Sequence, residues 1–346
     1  MKLKRTMAML LTGAMCASML AGCGGSSTGT TDGSAASTSG GGNGKITLIM
    51  AQRDEFLSTL EAAATKAGKE QGYTVTAQDA QSDAAKQIQY IETAVNGGEN
   101  AVIVNPVDSA AAQSLVDAAG DTPLVFVNRP PSDLHVLDPE NVAFCGSDED
   151  TSGYFQGEYL AKYFKDQGKT EIKYIMLQGI LGQVSQIKRS AGVIQALKDN
   201  GINATEAIAP LAGEYDRAEA MDKMGPVLSG GTQFDCIISN NDAMALGAVE
   251  ACENQGVDPK SFPIVGIDCT ADGAQAIVDG KMAMTVFQNP EGQGVGSVMA
   301  CINLINGKAI NEGTEFSLDD SGESYSDSII WVPFEPVTAD NVADYM

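Results

Sequence analysis

Residues 45–104 read KITLIMAQRDEFLSTLEAAATKAGKEQGYTVTAQDAQSDAAKQIQYIETAVNGGENAVIV, and the pattern repeats itself within that span. Short apolar runs at 46–51 (ITLIMA), 74–78 (TVTAQ) and 101–104 (AVIV) are separated by longer amphipathic runs at 56–71 and 84–96. The first and third runs show no polar alternation, so they read as strands buried on both faces, which requires a parallel sheet covered by helices. The first helical run stops at Gln71-Gly72, where glycine suits a left-handed C-cap. The unit is therefore strand, helix, strand, helix, strand.

The alternation continues outward. Strands are expected at 124–127, 142–145, 172–177, 204–208, 236–239, 264–267 and 283–287. Helices are expected at 110–119, 151–165, 185–200, 217–228, 243–254 and 292–305, several ending in Asn-Gly or Gln-Gly. About ten strands crowd a single small sheet. Two doubly wound α/β lobes, one opening at Lys45 and one near Thr170, fit better. A chain of 346 residues with 43% hydrophobic residues can fill two such cores.

The N-terminus carries an address. MKLKR at 1–5 is basic, 6–19 is uncharged and apolar, and LAGC occupies 20–23. This reads as a secretory signal peptide over residues 1–22 whose small residues admit a protease before Cys23. LAGC resembles the bacterial lipobox, so Cys23 is the expected lipidation site and the chain is expected to be anchored by acyl chains at the outer face of the bacterial cell membrane. Residues 23–44, rich in Gly, Ser and Thr, read as a flexible tether. Three consecutive glycines at 40–42 lack the Gly-Lys-Ser/Thr of a phosphate loop.

Charge and composition exclude whole classes of function. With Lys2, Lys4 and Arg5 in the segment expected to be removed, 45 acidic residues face 18 basic ones. A surface this acidic repels phosphate backbones, so no nucleic acid is expected as partner. The single histidine, His135, leaves little room for histidine catalysis or zinc, and its polar surroundings suggest a solvated loop. Cys145, Cys236, Cys252, Cys269 and Cys301 are odd in number and form no CxxC pair, so five buried free thiols are expected.

In open α/β sheets, ligands bind beyond the carboxyl ends of the strands. Here those positions are polar throughout: Asp54 and Phe56 after the first strand, Asn105 after the third, Asn128 and Arg129 after the fourth, Gln183 and Arg189 after the sixth. They continue with Asn241 and Asp242 after the eighth, Asp268 after the ninth and Gln288 after the tenth. Carboxylates accept hydrogen bonds from hydroxyls, guanidiniums donate, and amides do both. Phe56 and Tyr215 can stack on the apolar faces of a sugar ring. Each residue alone also fits a helix cap or a turn, Asp54, Asn105 and Asp242 especially; the recurrence at so many strand ends points to a site.

Several segments carry a resemblance: 239–249 (SNNDAMALGAV), 125–132 (VFVNRPPS), 146–161 (GSDEDTSGYFQGEYLA), 265–268 (VGID) and 330–334 (IWVPF). From Lys45 to Tyr345 the chain resembles the type I periplasmic sugar-binding proteins of ABC importers, above all the galactose/glucose- and ribose-binding group. That resemblance implies two Rossmann-like lobes joined by a three-strand hinge, with residues 45–147 and 289–331 in one lobe and 148–288 and 332–346 in the other. It implies a monosaccharide ligand held between the lobes, a membrane permease as partner, a monomeric chain, and no catalysis or cofactor. By position, Asp54, Phe56 and Asn128 match first-lobe contacts. Asn105, Arg129 and Gln288 match ribose-type contacts, and Arg189, Tyr215, Asn241 and Asp268 match second-lobe contacts. In 182–189 (GQVSQIKR), Gln183 and Ser185 replace a histidine and an aspartate of the galactose/glucose type. The same fold serves sensory proteins that present ligand to a membrane receptor, which is the alternative function.

Other chemistry is set aside. DEDTSG at 148–153 begins like a calcium loop, but its twelfth position is Tyr159, and 165–171 is too short for the calcium loop of the galactose/glucose type, so no metal is expected. Asp148 or Thr151 is expected to cap a helix. Trp331 is expected to pack at the hinge.

Overall fold

The computed structural model describes residues 44–346. The expected signal peptide, Cys23 and nearly all of the tether lie outside the described residues. The first sheet is built by β1 (Gly44–Met50), β2 (Tyr73–Asp79), β3 (Ala101–Val104), β4 (Leu124–Val127) and β5 (Val142–Gly146), all parallel. Two late strands complete it: β13 (Ile329–Trp331) runs parallel to β5, and β12 (Ser317–Leu318) runs antiparallel to β13, giving the order β12-β13-β5-β4-β3-β1-β2.

The second sheet takes β6 (Glu171–Gln178), β7 (Asn203–Glu206), β9 (Cys236–Ser239), β10 (Ile264–Val265) and β11 (Met284–Gln288) in parallel. β14 (Phe334–Thr338) closes its edge antiparallel to β11, for the order β14-β11-β10-β9-β6-β7. The strand expected at 204–208 ends early: β7 stops at Glu206 and pairs with Glu171–Tyr174, and after a break ending at Pro210 a short strand not expected from the sequence, β8 (Leu211–Ala212), pairs with Leu177 and Gln178.

Period-two geometry explains why the strands are apolar along their whole length. In the first lobe Ile46, Leu48 and Met50 face one core with α1 (Glu55–Glu70) and α9 (Pro290–Ile305). Ile49 faces the other, with Val102, Val104, Phe126 and the helices α2 (Ala84–Asn96) and α3 (Ala112–Ala119). The second lobe repeats the plan. Ile175, Leu177 and Ile237 pack under α6 (Arg217–Ser229), α7 (Asp242–Asn254) and α8 (Ala271–Val278). Met176, Cys236 and Ile238 pack under α4 (Glu149–Asp166) and α5 (Val184–Asp199). Each such side chain contributes roughly 1.5–3 kcal/mol by leaving water.

The chain changes sheets at three places. After β5 it enters α4, which packs on α5, β11 and β14. After β11 it enters α9, which packs on α1, β3, β4 and β5. Between β13 and β14 only Val332 and Pro333 intervene. The crossings therefore lie side by side and join two lobes of independent cores.

Other expectations meet the structure directly. All five cysteines are buried and free. Burial pushes the thiols of Cys145, Cys236 and Cys301 far up, Cys252 to about 11 and Cys269 to about 12, so they sit protonated as small core residues. Asp148 caps α4 by accepting from the Asp150 N–H at 3.0 Å. Trp331 ends β13, meets Phe144 edge-on at 5.8 Å and donates from Nε1 to Asp319 at 2.9 Å. His135 is exposed, but it sits in a short 3-10 turn (Leu134–Leu137) beside Asp138.

Glycine governs one junction. A Cβ on Gly153 of α4 would lie 2.1 Å from the Arg189 carbonyl oxygen of α5, and one on Gly157 would lie 2.5 Å from the Val193 oxygen. The two helices touch backbone to backbone. Gly153→Ala must part them and shift Arg189, and should lower stability by about 1–3 kcal/mol. Urea denaturation reads this as a lower midpoint, and an unmoved midpoint would show slack between α4 and α5.

Candidate functional site

Parallel strands end on one edge, and here the carboxyl ends of both sheets face one cavity of about 760 Å³ between the lobes, counting the part open to solvent. The backbone turns sharply as several strands end. Asn128, Tyr215 and Asp268 have φ of 65°, 64° and 122°. Left-handed backbone at a non-glycine residue costs about 1–3 kcal/mol and clusters at functional sites.

From the first lobe come Asp54, Phe56, Asn128 and Arg129. Asp54 caps α1 by accepting from the Leu57 N–H at 2.8 Å, which aims its carboxylate off the end of β1. Arg129 donates from Nη1 to the Pro106 oxygen at 3.2 Å. From the second lobe come Gln183, Arg189, Tyr215, Asn241, Asp268 and Gln288. Gln183 stands at the N-cap of α5 without capping it, and Asn241 caps α7 through the Met244 N–H at 3.0 Å. Tyr215 shares a 2.8 Å hydrogen bond between its hydroxyl and Ser185 Oγ.

Asn105 is the exception among the sequence-derived candidates: it does not line the cavity. It is fully buried, accepts from the Ala51 N–H at 3.4 Å, and donates from Nδ2 to the Val127 oxygen and to Asn128 Oδ1 at 3.2 and 3.3 Å. The backbone groups that β1 and β4 leave open need a partner, and Asn105 supplies it, so it holds the turn that presents Asn128. Asn128 is held on its other side by Gln293 Oε1 at 3.2 Å.

Sequence reasoning missed five polar lining residues, Glu55, Ser109, Glu149, Ser185 and Thr270, as site members. Glu149 matters most. The Arg189 guanidinium donates from Nε and Nη2 to its two carboxylate oxygens at 2.7 and 2.8 Å, both side chains being almost fully buried. Arg189 also donates to the Asn240 oxygen at 2.8 Å and to Gln288 Oε1 at 3.2 Å. Its only signal in the sequence was an acid opening a helix just after a sheet crossing.

The charges are strongly perturbed. Burial alone would lower the Arg189 pKa, but the charge and hydrogen bonds of Glu149 outweigh it and hold the guanidinium firmly protonated. Burial lowers that of Arg129, opposed by Tyr215 and Asp54. Burial drives Asp268 well above the carboxylate range despite Arg189, 3.9 Å away, with Asp242 and Asp54 pushing the same way as burial. On two residues that line the cavity, the buried atoms Gln183 Oε1 and Gln288 Nε2 have no hydrogen-bond partner within the protein. Such atoms cost free energy unless something pairs them.

These features define a two-lobed protein that encloses a small polar ligand. A family model for the periplasmic binding protein domain matches residues 46–309, and the chain belongs to that family. It is 32% identical over 304 residues to the D-galactose/methyl-galactoside binding periplasmic protein of Haemophilus influenzae, covering 85% of this chain and 88% of that one. It is 30% identical over 281 residues to the ribose import binding protein of the same organism, covering 80% and 91%. Among solved structures, an ABC transporter solute binding protein of Bacillus halodurans with bound myo-inositol superposes with a TM-score of 0.75 at 30% identity, covering 88% of this chain and 98% of that one. These relatives are binding proteins, the ribose one for import and the myo-inositol one of an ABC transporter, and among the described residues no helix is long and apolar enough to cross a membrane.

Beneath the cavity floor, Asp242 ties Asp268's loop to its neighbours. It accepts from Thr285 Oγ1 at 2.6 Å and from the Thr270 N–H at 2.9 Å, and burial raises its pKa from 3.8 to about 7. A carboxyl raised by folding favours the native state fully below its unfolded pKa, and that contribution is lost as pH rises through the folded one. Stability should therefore decline between about pH 4 and about pH 7. Asp242→Asn keeps an acceptor and a donor for the same two partners and should flatten that decline, as read by urea denaturation across the interval.

Proposed function

We propose that the chain captures a neutral monosaccharide, of the ribose or galactose/glucose kind or a polyhydroxylated ring of similar size, outside the cell and delivers it to an ABC permease. The supporting observation is the convergence of both lobes on one cavity lined by Gln183 and Gln288, whose buried Oε1 and Nε2 atoms lack protein partners. In this reading Asp54 and Asp268 accept from ring hydroxyls, Arg129 and Arg189 donate, and Asn128, Asn241, Gln183 and Gln288 do either. Phe56 and Tyr215 cover the apolar faces of the ring.

The lobes, taken as residues 45–147 with 289–331 and 148–288 with 332–346, open and close about the three crossings. Sugar contacts both lobes only when they are closed, so binding shifts the equilibrium by that differential affinity. The chain acts as a monomer, held by lipid on Cys23, and turns over nothing; hydrolysis of ATP belongs to other chains. The relatives that take galactose, ribose and myo-inositol support an uncharged polyol as ligand.

A thermal-shift screen across ribose, galactose, glucose, their epimers and myo-inositol should find a compound that raises Tm. Ligand at 100 times its Kd stabilises by about 2.7 kcal/mol. Calorimetry with that compound should then show Asp268→Ala weakened by roughly 10- to 100-fold, because removing one partner leaves a buried ligand hydroxyl unpaired at about 1–3 kcal/mol. A flat screen removes the functional reading, and undiminished affinity in the variant removes Asp268 from the site.

A further inference from the structure

We infer that Glu149 sets the charge selectivity of the cleft, so that uncharged polyols enter and acidic sugars are turned away. The inference rests on the cleft being the ligand site proposed above. Arg189 has the planar fork that grips a carboxylate or phosphate through two parallel N–H bonds. Glu149 already occupies that fork, on Nε and Nη2 at 2.7 and 2.8 Å. The Asn240 oxygen takes an Nη1 hydrogen, and Gln288 Oε1 takes the second on Nη2. A guanidinium has five N–H groups, so a single one, on Nη1, remains for a ligand. One donor suffices for a hydroxyl and cannot chelate an anion.

The remaining charges point the same way. Six charged residues line the cavity: Asp54, Glu55, Glu149 and Asp268 against Arg129 and Arg189. With Arg189 neutralised by Glu149, Arg129 faces three carboxyls alone, and among the described residues it makes no ion pair of its own. Protonation of Asp268, favoured by its burial, would still leave Asp54 and Glu55 against Arg129. An entering anion would lose its water in a cavity whose balance is already negative. Glu149 is itself locked in place: it is 4% exposed, opens α4 immediately after the first crossing, and accepts a second-side hydrogen bond from Ser152 Oγ at 3.2 Å. It acts through Arg189 and is a positioning residue.

The test measures affinity by calorimetry for galactose, glucose, ribose and myo-inositol, each beside an anionic counterpart: galacturonate, glucuronate, ribose 5-phosphate and inositol 1-phosphate. Wild type should prefer the neutral member of its best pair by at least about 100-fold, since like-charge juxtaposition is strongly penalised. Glu149→Gln frees the fork and should narrow that preference by at least about tenfold while weakening the neutral sugar. Glu149→Asp keeps the charge and should keep the preference. A ratio unmoved in Glu149→Gln would make the residue merely structural and overturn the inference, as would a wild type that binds both members equally. Should Glu149→Gln fail to fold by circular dichroism, the wild-type ratio and that of Glu149→Asp decide. A wild type that binds none of the eight compounds removes the functional reading itself, and this inference with it.

Discussion

Every strand in a parallel sheet points the same way, so all the loops that follow strands gather on one edge. The two sheets of this protein are parallel except for β12 and β14 at their edges, and their carboxyl edges are turned toward each other. The polar residues past β1, β4, β6, β9 and β11 therefore meet although they are scattered over more than two hundred positions of sequence. Rigid cores on both faces of each sheet hold the strand ends still, and the ligand-facing side chains inherit that rigidity.

Within the cleft, most polar groups do two jobs. Asp54 and Asn241 cap helices with one atom and present the rest of the side chain to the cavity. Asn128 is held by Asn105 and Gln293, and Gln293 in turn donates to Ser147 at 3.0 Å, beside the first crossing. In the other lobe Glu149, just past that crossing, and Gln288, just before the second, both hold Arg189. The groups that face a ligand are thus hydrogen-bonded to the segments about which the lobes would turn.

The fold was legible because double burial leaves an unmistakable mark: uninterrupted β-branched runs between amphipathic helices. The elements that escaped, α8, β8 and β12 to β14, lack that mark. β12 has two residues and β13 three, and β14 (FEPVT) carries a proline and a glutamate on an antiparallel edge, where one face meets water. Their existence depends on partners supplied from elsewhere in the chain. The site was legible to the extent that polarity at strand ends reports on it. Asn105 shows the limit, since an amide that satisfies buried backbone reads like one that awaits a ligand. Glu149 shows the converse, since an acid on the first turn of a helix is ordinarily explained by the helix dipole. Only the position of Arg189, forty residues on, gives it another meaning.

The interleaving of the two lobes constrains how the molecule is made. The first sheet needs β13 and the second needs β14, so neither is complete until residues 329–338 have left the ribosome.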